Sequence, residues 1–156
     1  MDLKNGLKNQ YHVGLAMLRQ CVRLCPDDLW ESGEHPRSTW RIAYHAAYYT
    51  HLYLHASRGS FTPWSEHVND VSNLWGRPKV VPAISRESVL SYIEQINAET
   101  DTLVDNMDLD AVSSGFALYK IPKLEHQFVN LRHLQHHIGQ LSELLMARGI
   151  EIDWPM

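Results

Sequence analysis

Apolar positions recur at helical spacing in four separate stretches, and no stretch of useful length alternates apolar with polar residues. The first stretch runs from about Leu3 to Leu24, with Leu7, Tyr11, Leu15, Leu18 and Val22 as its stripe. Pro26, Asp27 and Asp28 stop it. The second starts at Ser38 or Thr39, after Pro36, and reaches about Ser57, before Gly59. The third spans about Ser85 to Met107, with Val89, Ile93, Ile96, Thr100, Leu103 and Met107 on one side. The fourth follows Pro122 and stops at Gly149, a residue suited to a helix C-terminus.

Four long helices, each with one apolar face, bury those faces together most simply as a bundle. The pattern therefore predicts an all-α four-helix bundle. Its connections are uneven. RGSFTPWSEHVNDVSNLWGRPKVVPA separates the second helix from the third, a length that predicts a crossover along the bundle. Residues 108–122 form another extended link. No repeat, low-complexity tract or linker divides the chain, so a single domain over residues 1–156 is expected.

Composition narrows the function. Apolar residues make up 44% and charged residues 21%, an ordinary globular balance. Net charge is −4, and Lys and Arg are scattered singly, which argues against nucleic acid and anionic membranes as partners. No run approaches a membrane span, and the N-terminal MDLKNGLKNQYHVG lacks the apolar core of a signal peptide. Cys21 and Cys25 are four apart, without a CxxC pattern, and read as core thiols in a reducing cytoplasm.

The chemistry lies in the histidines, ten in all. Advancing about 100° per residue, His137 falls on the edge of the apolar stripe of the fourth helix, formed by Leu124, Leu131, Leu134, Ile138, Leu141 and Leu145. His133 lies on the same side and His136 points away. An i,i+4 pair holds its Cβ atoms roughly 6 Å apart, so both rings can reach one cation. On the second helix, His45 sits in the middle of the face carrying Ile42, Tyr49, Leu52 and Ala56. Three imidazoles buried together without a metal would leave ring nitrogens unpaired, so the trio favours a metal more than any one member does.

His51 and His55 form another i,i+4 pair, on a side that diverges by roughly 80–120°. With no third ligand apparent, they read as boundary or surface residues. His12, His35, His67 and His126 fit no pattern. Around the trio, Gln140 and Asn130 stand about one turn from His137 and His133, where an amide could orient an imidazole. Tyr48 and Tyr49 follow His45 closely enough to reach a bound water or substrate, or else pack in the core. Trp64 and Trp75 in the crossover either roof the site or pin the loop.

RHLQHHIGQLSELL resembles the last-helix signature of the DinB/YfiT-like bundle superfamily, HxxHH followed by xGQ. TWRIAYHAAYYTHLYL is similar to that family's ligand-bearing second helix, and DDLW fits its layout after the first. Ile138 stands where such helices often carry an Arg. The resemblance implies a four-helix bundle with a long crossover after helix two, a homodimer, and a divalent metal on His45, His133 and His137. It also implies thiol-dependent transferase or isomerase chemistry, or a member without activity.

Three neutral imidazoles suit a divalent transition metal, Zn²⁺ or Ni²⁺ ahead of Co²⁺ or Fe²⁺, and leave a coordination position open. The expected protein is thus a cytoplasmic enzyme that activates a low-molecular-weight thiol toward a small-molecule substrate, as a thiol S-transferase does. Its alternatives are a metal-dependent hydrolase and a non-catalytic metal- or ligand-binding sensor or stress protein.

Overall fold

A computed structural model describes residues 2–155, so the outermost residues of the expected single domain, 1 and 156, lie outside it. Among the described residues the chain is all-helical, with no strand. The helices are α1 (Leu3–Leu24), α2 (Asp27–Trp30), α3 (Thr39–Leu54), α4 (Arg86–Asp105) and α5 (Lys123–Met146).

Their boundaries follow local chemistry. The Asp2 carboxylate accepts from the Lys4 and Asn5 amides and caps α1, while the Ser85 hydroxyl accepts from the Ser88 amide and caps α4. Pro26 does end α1, but the Asp27–Trp30 segment after it winds into one further turn that buries Leu29 and Trp30. The Trp30 indole donates to the Ile84 carbonyl at 2.9 Å, tying this turn to the end of the crossover. At the other end of the chain, Gly149 adopts φ 72°, and the Ile150 amide returns to the Leu145 carbonyl at 3.1 Å. That left-handed residue terminates α5.

The long helices pack in a cycle: α1 lies on α4 and α5, and α3 lies on the same two. One apolar core runs through all of them, from Leu7 and Tyr11 on α1 to Leu141 and Leu145 on α5. Cys21 and Cys25 are buried free thiols in that core, and burial raises them to about 12 and about 11.

One helix departs from the amphipathic reading. Every residue of α3 except Tyr49 is buried. The reason is the crossover, which covers the side of α3 that the other helices leave open. Trp64 from this segment stacks on Tyr92 of α4 at 4.9 Å, and Val71 and Leu74 join the core. The Arg41 guanidinium, 1% exposed, donates to the Asp70, Val71 and Lys79 carbonyls and holds the segment against the helix. A helix covered all round has no polar face for its sequence to announce. It also ends at Leu54, three residues before the expected Ser57.

Candidate metal centre

The central position of α3 carries His45, and α5 brings His133 and His137 to the same place. Their nitrogens lie within 4.8 Å of one another. His133 Nε2 stands between the other two, 2.9 Å from His45 Nε2 and 3.1 Å from His137 Nε2. Nitrogens sharing one tetrahedral ion at about 2.0–2.1 Å are separated by roughly 3.3 Å, so these spacings are close to a coordinating set.

Protons decide what the cluster can do. His45 Nδ1 donates to the Ser72 backbone carbonyl at 2.5 Å, and His137 Nδ1 donates to Gln140 Oε1 at 2.8 Å. Each bond fixes the proton on Nδ1 and leaves a bare lone pair on Nε2. Both lone pairs face His133 Nε2, which can donate a proton to only one of them. Burial lowers His45 and His133 to about 3, for His45 against the opposing Ser72 hydrogen bond and for both with help from the neighbouring rings. Burial likewise lowers His137 to about 4, against the Gln140 hydrogen bond. All three rings are neutral at pH 7, which is the form that binds a metal. The donor set therefore fits a divalent transition-metal ion: two bare lone pairs stand beside a third Nε2, all within 4.8 Å, with at most one proton among them.

The surrounding residues divide. Gln140 reaches His137 as expected, and its Nε2 also donates to His136 at 3.2 Å. Asn130 does not orient His133. It is fully buried and donates to the Thr50 carbonyl at 3.2 Å, tying α5 to α3, while His133 Nδ1 has no partner. Tyr49 packs against the rings of His45 and His133 at 4.7 and 5.7 Å. Tyr48 turns instead toward His67 and Phe61 in the crossover. Trp75 sets its ring edge-on to His45 at 5.8 Å and covers the centre, whereas Trp64 pins the crossover to α4. A cavity of about 340 Å³ is lined by Tyr49 and Ser72, which touch the centre, though by none of the three histidines, and a second of about 420 Å³ shares Tyr49 and Arg58 with it.

Ser72 had no signal in the sequence, because it acts through a backbone carbonyl that only the path of the crossover brings to His45. His51 overturns an expectation: it is 2% exposed, whereas His55 is half-buried, as a boundary residue is, and Glu99 of α4 joins them as a third potential ligand where none was apparent. Their face of α3 lies under the crossover and against α4. A signal for Glu99 existed: Tyr92, Ile96 and Glu99 share one side of α4 at i, i+4 and i+7.

Compared with known protein families, curated proteins and solved structures, the chain matches none.

Proposed function

We propose that His45, His133 and His137 hold a divalent transition-metal ion, Zn²⁺ or Ni²⁺, within a DinB/YfiT-like four-helix bundle. On this reading the protein is a cytoplasmic, homodimeric, metal-dependent enzyme that activates a thiol toward a small electrophile, in the manner of a thiol S-transferase. The observation that carries the reading is the convergence of three Nε2 atoms, two of them with lone pairs fixed by Ser72 and Gln140.

When bound, such an ion supplies positive charge that no ligating carboxylate offsets, which lowers the pKa of a thiol or water beside it. The chain supplies the rest. Ser72 and Gln140 hold the imidazoles in register, and Trp75 and Tyr49 limit water at the rings. The two cavities that share Tyr49 with the centre are sized for small molecules. Exposed Arg58, which borders both cavities, is placed to attract an anionic group on an incoming thiol. Water in place of the thiol would make the same centre hydrolytic.

The enclosure of the rings favours a second reading. His45 and His137 are 2% and 5% exposed, which suits a non-catalytic sensor or stress protein that binds metal without turnover.

Zn²⁺ titration of metal-stripped protein tests the centre. The paired substitution His133→Ala, His137→Ala is expected to lower the binding capacity by one equivalent, and unchanged capacity overturns the site. Conjugation of several low-molecular-weight thiols to a fluorogenic alkylating reagent, with and without metal, then separates the two readings. Metal-dependent turnover supports the enzyme, whereas tight binding without turnover on any thiol supports the sensor.

A further inference from the structure

The side of α3 away from the three-histidine centre carries its own cluster. One nitrogen each from His51 and His55 and one carboxylate oxygen of Glu99 all lie within 4.8 Å of one another. The two rings, one turn apart, have centroids 5.1 Å apart, and Phe61 closes against both. His51 Nε2 donates to Glu99 Oε2 at 3.0 Å, and its Nδ1 accepts from the Tyr92 hydroxyl at 3.0 Å. Gln95 steadies the carboxylate by donating to Oε1 at 2.9 Å. A cavity of about 260 Å³ opens onto all three residues, with the side chains of Ser60, Thr62 and Ser65 on its wall.

We propose that His51, His55 and Glu99 form a second divalent-metal site, independent of the first, which takes a Zn²⁺-class ion with two nitrogens and one carboxylate oxygen. A plain hydrogen bond between His51 and Glu99 accounts for His51 but not for its neighbour. His55 Nε2 is buried and has no hydrogen-bond partner, although it sits one turn from a ring that is fully paired. A buried ring nitrogen left unpaired is costly, and an ion shared with His51 and Glu99 would satisfy it.

The donor set is the two-histidine, one-carboxylate combination that leaves positions open for water or substrate, and here those positions face the cavity. Binding conserves protons. As His51 Nε2 turns from donor to ligand, its proton moves to Nδ1, and the Tyr92 hydroxyl rotates its own hydrogen away so that its oxygen accepts; no proton need be lost. Tyr92 would then orient the ring as the outer partners of ligating histidines do. Glu99 also offsets one of the ion's two charges, which distinguishes this site from the all-nitrogen centre.

Calorimetric titration with Zn²⁺ of the metal-stripped His133→Ala, His137→Ala protein isolates the second site. One equivalent is expected to bind, and adding Glu99→Gln or His55→Ala is expected to weaken it roughly 100-fold. The Glu99 side chain is 41% exposed, so Glu99→Gln tests ligation without disturbing the core even where His55→Ala fails to fold. The proposal is overturned by a protein lacking the first centre that binds no Zn²⁺, or by binding that Glu99→Gln leaves unchanged. Neither result bears on the equivalent lost with His133 and His137, so the two sites fail separately.

Discussion

His45 donates its Nδ1 proton to the backbone carbonyl of Ser72, a residue 27 positions further along the chain, at 2.5 Å. This contact couples the crossover to the chemistry of α3. It sets which nitrogen of His45 is bare, and it does so from a segment whose regular structure is a single 3₁₀ turn, Arg58–Ser60, remote from Ser72.

Arg41 holds that segment in place, so its loss should reach the candidate metal centre. Its guanidinium spans three carbonyls on both sides of Ser72, a geometry that a lysine ammonium cannot reproduce. Arg41→Lys is expected to lower stability by about 1–3 kcal/mol and Zn²⁺ affinity at the three-histidine centre by roughly tenfold. Denaturant unfolding of the metal-free protein and competitive chelator titration measure the two effects.

Gln140 bears on the candidate metal centre without supporting the core. Gln140→Ala removes the acceptor for His137 Nδ1 and should weaken Zn²⁺ binding by roughly 10–100-fold. Metal-free stability should change by less than about 1 kcal/mol. Gln140→Glu keeps the acceptor and should restore the affinity.

His126 makes the fold sensitive to acid. It is fully buried among Tyr53, Phe116 and Tyr119, and neither ring nitrogen has a partner. Burial, aided by Lys123, lowers it to about 4. Between that value and the ordinary value near 6.5, the unfolded chain holds a proton that the folded ring excludes. Stability therefore falls as pH drops through this window. His126→Phe should match or exceed the parent at pH 7 and outlast it by about 2 kcal/mol at pH 5, measured by urea denaturation in the presence of chelator.

Gly115 is required by its backbone. It adopts φ 82°, and a Cβ there would overlap the Ala56 carbonyl oxygen. Gly115→Ala should cost at least about 2 kcal/mol in denaturant unfolding, since strain and steric conflict act together.

Helix content and helix phase were legible in the chain. The three-to-four spacing of Leu7, Tyr11, Leu15 and Leu18, and of Val89, Ile93 and Ile96, marked which sides face inward. Pro26, Ser85, Pro122 and Gly149 marked where helices begin or end. Phase also placed His133 and His137 on one side of their helix and His45 mid-stripe on its own. These are properties of single helices, set by backbone geometry, and one dimension suffices to state them.

What the tertiary structure decided is what stands opposite each side. The crossover buries α3 all round, so residues that its pattern assigned to a boundary, His51 and His55, lie against Phe61, with Glu99 of α4 within reach. Asn130 turns to the Thr50 carbonyl and leaves His133 alone, because the packing of α5 on α3 puts that carbonyl within its reach. Periodicity records direction about a helix axis. Which nitrogens meet, and which carbonyl fixes their protons, depends on the path of an irregular loop whose backbone groups look alike in any sequence.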